Sequence, residues 1–204
     1  MTDETVLIPG ARTVEATLDE PAGEAETCVV ACPPHPQYGG HRGDRRLEAV
    51  SDYLTERGVA VLRFDYGEWD EGQAEREDVG NALRWAADHY SRVGLFGFSF
   101  GGGMAALAAA STDLDLCGVA LLAPAAQVAD DLDAAATLQA IDAPVGLVYG
   151  TRDTTAKWKP FYRAAESIGA TIESIEGDHF FVGQSRTVAE TVGEFLRSRC
   201  QPAD

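Results

Sequence analysis

Short apolar runs alternate along this chain with longer amphipathic stretches. Residues 27–32, 59–64, 93–98, 117–122 and 145–149 are rich in β-branched side chains and almost continuously apolar. A strand covered on both faces has this pattern, because helices shield a parallel sheet above and below. Residues 6–8 and 14–18 are more polar and fit a sheet edge, and residues 171–175 supply one more strand. The stretches between them have helical spacing. Residues 44–57 carry Leu47, Val50, Tyr53 and Leu54 on one face and stop at Gly58, the usual place for a terminating glycine. Residues 74–90 repeat the spacing through Val79, Leu83, Trp85 and Ala86; residues 101–111 are short and small; residues 155–168 and 185–199 are amphipathic. This order predicts one domain over residues 1–204: a three-layer α/β/α sandwich with a mostly parallel sheet of seven or eight strands. Only residues 125–140 leave room for a lid, and they admit one short helix at most.

Composition narrows the picture. The chain has 204 residues, 45% of them apolar, enough for a full core without cross-links. Its four cysteines, Cys28, Cys32, Cys117 and Cys200, read as buried free thiols. No cysteine or histidine pair stands at ligand spacing, so no metal is expected. No apolar run reaches the roughly 18 residues that span a bilayer. The start, Met1-Thr2-Asp3-Glu4, is acidic rather than basic and then apolar, so no secretory signal is expected and the location predicted is the cytoplasm.

Charge is the unusual property. Asp and Glu number 33 against 16 Lys and Arg, a net charge of −17, and only Lys157 and Lys159 are lysines. Such a surface repels phosphate backbones and anionic lipid, so neither nucleic acid nor a membrane is an expected partner. High acid content, arginine as the main cation and abundant alanine look like a protein from a salt-in halophile, a haloarchaeal source being the expectation. The oligomeric state stays open.

The chemistry is concentrated in three loops. Gly97-Phe98-Ser99-Phe100-Gly101 matches G-x-S-x-G, and its setting matters more than the match: an apolar strand precedes it and a small-residue helix follows. A serine on so sharp a turn stands above the sheet, next to a helix N-terminus that favours negative charge. Its hydroxyl needs a base, and the base needs a carboxylate to fix its tautomer. Asp153 follows the strand 145–149, and His179 follows the strand 171–175. Both then sit on the sheet edge where Ser99 stands. Asp178 is a rival acid, but as the neighbour of His179 it is poorly placed to orient that ring. His89, late in a helix, reads as a surface residue. The third loop is Pro33-Pro34-His35-Pro36-Gln37-Tyr38-Gly39-Gly40. An oxyanion normally meets two backbone N–H groups. Phe100 is expected to give one. Pro36 has none, so Gln37 is the first candidate for the other and Tyr38 the second.

As a set, these motifs resemble the small, lidless α/β-hydrolases related to dienelactone hydrolases. The resemblance rests on His35-Pro36-Gln37-Tyr38-Gly39-Gly40, on Arg63-Phe64-Asp65, on the elbow Gly97–Gly102 and on Gly177-Asp178-His179-Phe180-Phe181. It covers residues 27 to 196 and implies an α/β-hydrolase fold. Dienelactone hydrolases proper use a cysteine nucleophile, so Ser99 does not imply that activity. The turn Tyr66-Gly67-Glu68-Trp69-Asp70-Glu71-Gly72 is more acidic than the family's usual one, which alters the mouth of the site. His35, Tyr38 and Tyr66 are candidate substrate contacts, and Trp69 and Trp158 are further candidates for the pocket lining. The expected reaction is hydrolysis of an ester-like acyl bond in a small molecule, without cofactor. Thioesters, lactones and small peptides are open to the same triad, and a non-catalytic binding module is the alternative from another class. Without a lid, the site is expected to be shallow and to favour short acyl groups.

Overall fold

The computed structural model describes residues 2–129 and 132–201. Eight strands form one sheet in the order β1-β2-β4-β3-β5-β6-β9-β10. They are β1 (Thr2–Ile8), β2 (Val14–Glu20), β3 (Thr27–Cys32), β4 (Ala60–Phe64), β5 (Arg92–Phe98), β6 (Leu116–Leu122), β9 (Val145–Gly150) and β10 (Thr171–Ile175). β1 and β2 pair antiparallel, as do β2 and β4; the other neighbours run parallel. The polar edge expected from residues 6–18 is therefore the antiparallel edge. Its solvent-facing residues do not need helix cover.

The strand period of two sorts side chains into two cores. In β3, Cys28, Val30 and Cys32 face the helices α2 (Gln73–His89), α3 (Phe100–Ala109) and α4 (Lys159–Ser167). Val29 and Ala31 face α1 (Arg45–Thr55) and α5 (Ser185–Cys200). Leu95 and Leu147 join the first core; Phe96, Phe98 and Val148 join the second. The three-layer reading thus holds, with two helices on one face and three on the other.

One expectation changes. Cys117 and Cys200 form a disulfide, while Cys28 and Cys32 stay free and buried. Burial pushes both free thiols up, far from reactivity. The disulfide joins the start of β6 to the end of α5 across 83 residues. In the chain-entropy account a loop of that size stabilises the fold by about 4.5 kcal/mol. Disulfides are rare in reducing compartments, so this pairing weighs against the cytoplasmic expectation. The segment 125–140, expected to admit one short helix at most, carries no α-helix among its described residues. It holds an antiparallel pair, β7 (Gln127–Ala129) with β8 (Leu132–Asp133), and a 3-10 stretch at Ala135–Ala140. Residues 130 and 131 lie outside the described residues. No described helix is long and apolar enough to cross a membrane.

Candidate active site

Ser99 lies between β5 and α3 with φ 57° and ψ −118°, a conformation L-residues rarely adopt. The turn closes only because glycines flank it. A Cβ on Gly97 would meet the Gly101 carbonyl oxygen at 2.2 Å, and one on Gly101 would meet the Cys32 oxygen at 2.2 Å. Ser99 N–H donates to the Leu122 oxygen at 2.9 Å, and the Ser99 oxygen accepts from Ala125 N–H at 2.9 Å. The strained residue is therefore pinned from the β6 side.

Asp153 and His179 arrive on the loops after β9 and β10, and these two loops are stitched to each other. Thr151 N–H donates to the Ile175 oxygen at 3.0 Å, and Arg152 N–H to the Gly177 oxygen at 2.9 Å. Asp153 Oδ2 stands 2.8 Å from His179 Nδ1, and His179 Nε2 stands 2.9 Å from Ser99 Oγ. Both Asp153 and His179 are buried, at 7% and 4% exposure. Asp153 Oδ1 accepts from Thr155 N–H at 2.8 Å and Ala156 N–H at 3.0 Å. That turn occupies residues 153–156, so α4 begins at Lys159 rather than at 155. Asp178 does not reach the imidazole in this arrangement. Its Oδ1 accepts from the N–H groups of Phe180 (3.0 Å) and Phe181 (3.2 Å) and shapes the loop itself.

Trp158 is half-buried beside the Asp153 loop. It stacks on Tyr149 at 4.3 Å and gives its indole N–H to the Asp153 carbonyl at 3.3 Å, bracing the acid loop. Sequence reading missed this support, although a tryptophan five residues after the acid was visible.

The loop after β3 is placed differently from expectation. Gln37 N–H is turned toward His35 Nδ1 at 3.3 Å, and Tyr38 N–H donates to the His35 carbonyl at 3.1 Å. Neither of the two donors expected from this loop is free. Pro33, Pro34 and Pro36 have no N–H, and residues 36–38 form a 3-10 turn that consumes its own donors. The loop's remaining donor ahead of that turn is His35 N–H, which has no acceptor among the described residues. The His35 ring packs against Trp69 at 4.5 Å and Phe100 at 4.7 Å. Partial burial lowers its pKa, and an Nδ1 that accepts an N–H belongs to the neutral ring. Tyr38 is exposed at the rim. Tyr66, a candidate substrate contact, is half-buried: it lies edge-on to Phe64 and Phe100, its hydroxyl is buried without a partner among the described residues, and burial drives its pKa up. The Arg63-Phe64-Asp65 motif holds this loop from below. Asp65 Oδ1 accepts Arg42 N–H at 2.6 Å, and Arg63 Nη1 donates to the Arg42 carbonyl at 2.8 Å.

A cleft of about 490 Å³ adjoins this site, lined among others by Ala125, Val128, Thr155, Ala156 and Lys157. Ala125, Thr155 and Ala156 give the N–H groups that hold Ser99 and Asp153. Among the described residues no group of three or more histidine, cysteine or acidic side chains stands together to hold a metal ion.

No protein-family model and no curated protein matches the chain. Solved structures do. An α/β serine hydrolase homologue from Coxiella burnetii is 27% identical, with a TM-score of 0.82 over 96% of this chain and 98% of the other. A serine hydrolase without a lid from Xanthomonas campestris is 20% identical, with a TM-score of 0.82 over 99% and 97%. Est1E from Butyrivibrio proteoclasticus is 19% identical, with a TM-score of 0.84 over 96% and 98%. Matches also include a dienelactone hydrolase from Anabaena variabilis, in line with the motif resemblance. The fold is that of the lidless α/β hydrolases.

Proposed function

We propose that this α/β-hydrolase-fold chain is a serine hydrolase that cleaves ester-like acyl bonds in small molecules. The observation that carries the reading is the continuous Asp153–His179–Ser99 hydrogen-bond chain, at 2.8 and 2.9 Å, ending on a serine at φ 57°. Asp153 keeps the Nδ1 proton in place, which leaves Nε2 as an acceptor. Ser99 Oγ attacks the acyl carbon while His179 Nε2 takes its proton. The tetrahedral intermediate collapses, the acyl–oxygen bond breaks, and the leaving alcohol takes the proton from His179. Water then attacks the acyl-enzyme, giving its proton to His179; the acid leaves and Ser99 regains a proton. The serine hydrolases among the structural neighbours support this reaction class.

The reading assigns the oxyanion to the N–H groups of Phe100 and His35. Phe100 is the first residue of α3, where an N–H has no intrahelical partner. A matched pair of variants tests His35, whose φ of −59° and ψ of 122° suit a proline before Pro36. His35→Ala removes the ring and keeps the N–H; His35→Pro removes both. The proline variant is expected to have a kcat about 100-fold below that of the alanine variant, at similar KM. Equal kcat values would take His35 out of the oxyanion site.

The overall reading is tested by a fluorophosphonate probe in molar salt, where the net charge of −17 is screened. Mass spectrometry of the labelled protein is expected to place one adduct on Ser99. A folded protein that stays unlabelled overturns the hydrolase and leaves a binding module.

A further inference from the structure

The residue before Ser99 and the residue after His179 touch the same guanidinium, that of Arg46. Arg46 is the second residue of α1 and only 17% of its side chain is exposed. Its Cζ lies 4.3 Å from the centre of the Phe98 ring, and its Nη1 donates to the Phe180 carbonyl at 3.0 Å. Phe98 in turn packs on His179, with ring centres 5.3 Å apart. The other edge of the guanidinium is clamped by Asp44. Nε donates to Oδ1 at 2.8 Å and Nη2 to Oδ2, while Asp44 Oδ1 also caps α1 by accepting Arg46 N–H at 2.9 Å.

We propose that Arg46 is a positioning residue that fixes the His179 loop relative to the Ser99 elbow. The inference rests on the reading of His179 as the base. The Phe180 ring is half exposed, and among the described residues Arg46 is the donor that holds its carbonyl. His179 is thus hydrogen-bonded at its ring by Asp153 and held at its main-chain exit by Arg46. Asp178 holds the Phe180 and Phe181 N–H groups from inside the loop, so the Phe180 carbonyl is the loop's tie to α1. Without that tie the loop shifts as a unit, and the imidazole moves relative to Ser99 while the Asp153 contact follows it. A displacement of about 1 Å is enough to cost roughly 100-fold in rate. The charge is already answered by Asp44, so the contribution is geometric: a planar fork meets a carboxylate, a carbonyl and a ring face at once. Lysine has neither the plane nor the fork.

The test compares Arg46→Met, Arg46→Lys and Asp44→Asn with the wild type. Asparagine at 44 still caps α1 but loosens the clamp. Arg46→Met is expected to lower kcat ten- to a hundredfold with KM within about twofold, Arg46→Lys to give no rescue, and Asp44→Asn to fall between. A second reading does not depend on a substrate: the far-downfield proton resonance of the His179 Nδ1–H bound to Asp153 is expected to broaden in the folded Arg46 variants. Unchanged kcat and an unchanged resonance in folded Arg46→Met overturn the proposal. So does full activity in Arg46→Lys. A wild type that neither labels nor hydrolyses overturns the hydrolase reading instead, and the resonance then decides Arg46 separately.

Discussion

Ser99→Ala is expected to lower kcat by about 10⁶-fold, to a residue of activity left to the oxyanion donors and substrate binding. The loss is large because, among the described residues, Ser99 Oγ is the hydroxyl that His179 Nε2 meets. The same position makes a second variant informative. Ser99 holds φ 57° with a Cβ, and alanine carries the same strain. Glycine does not. Ser99→Gly is therefore expected to be as inactive as Ser99→Ala yet more stable than the wild type, by about 1 kcal/mol. Kinetics and thermal unfolding of the pair check this. A stability order in which alanine equals or exceeds glycine would mean that the elbow is not strained.

Asp153→Asn is expected to lower kcat by about 10⁴-fold with little change in KM or folding. The structure dictates which way the amide must point. Oδ1 accepts two N–H groups, from Thr155 and Ala156, so an oxygen has to remain there. The amide NH₂ then takes the Oδ2 position and donates to His179 Nδ1, where the carboxylate accepted. The ring is forced to carry its proton on Nε2, facing Ser99 Oγ, and is unable to remove the serine proton. Asp153→Ala leaves both N–H groups of the turn without their acceptor and is expected to lose stability as well as rate. Comparable rates in Asp153→Asn and wild type would mean that Asp153 shapes the turn and does no more.

Much of this site is legible without coordinates because it is written locally. Gly97 and Gly101 around Ser99 are demanded by a turn that spans five residues. Asp153 and His179 each lie in the loop that follows a strand, so chain order and sheet-edge logic bring them to Ser99. The strand and helix bounds follow from periodicity, and they slip where a side chain intervenes, as at Asp153 and the late start of α4.

What resisted reading is set by contacts between distant segments. Gln37 was favoured as a donor because it has an N–H, but the His35 ring nitrogen two residues back turns toward that group. Tyr66 follows the β4 motif, yet packing under Phe100 buries its hydroxyl. Cys117 and Cys200 are separated by 83 residues, and only the packing of α5 across the sheet brings them together. Arg46 bonds to a carbonyl 134 positions away. The sequence by itself determined the layers, a main sheet of seven or eight strands, the elbow and the order in which Ser99, Asp153 and His179 reach one sheet edge, because local sterics and hydrophobic period suffice for these. The tertiary structure alone decided the cysteine pairing, the free N–H of His35 and the bond from Arg46 to the Phe180 carbonyl. These depend on which polar groups find partners after folding, and no periodicity along the chain records that.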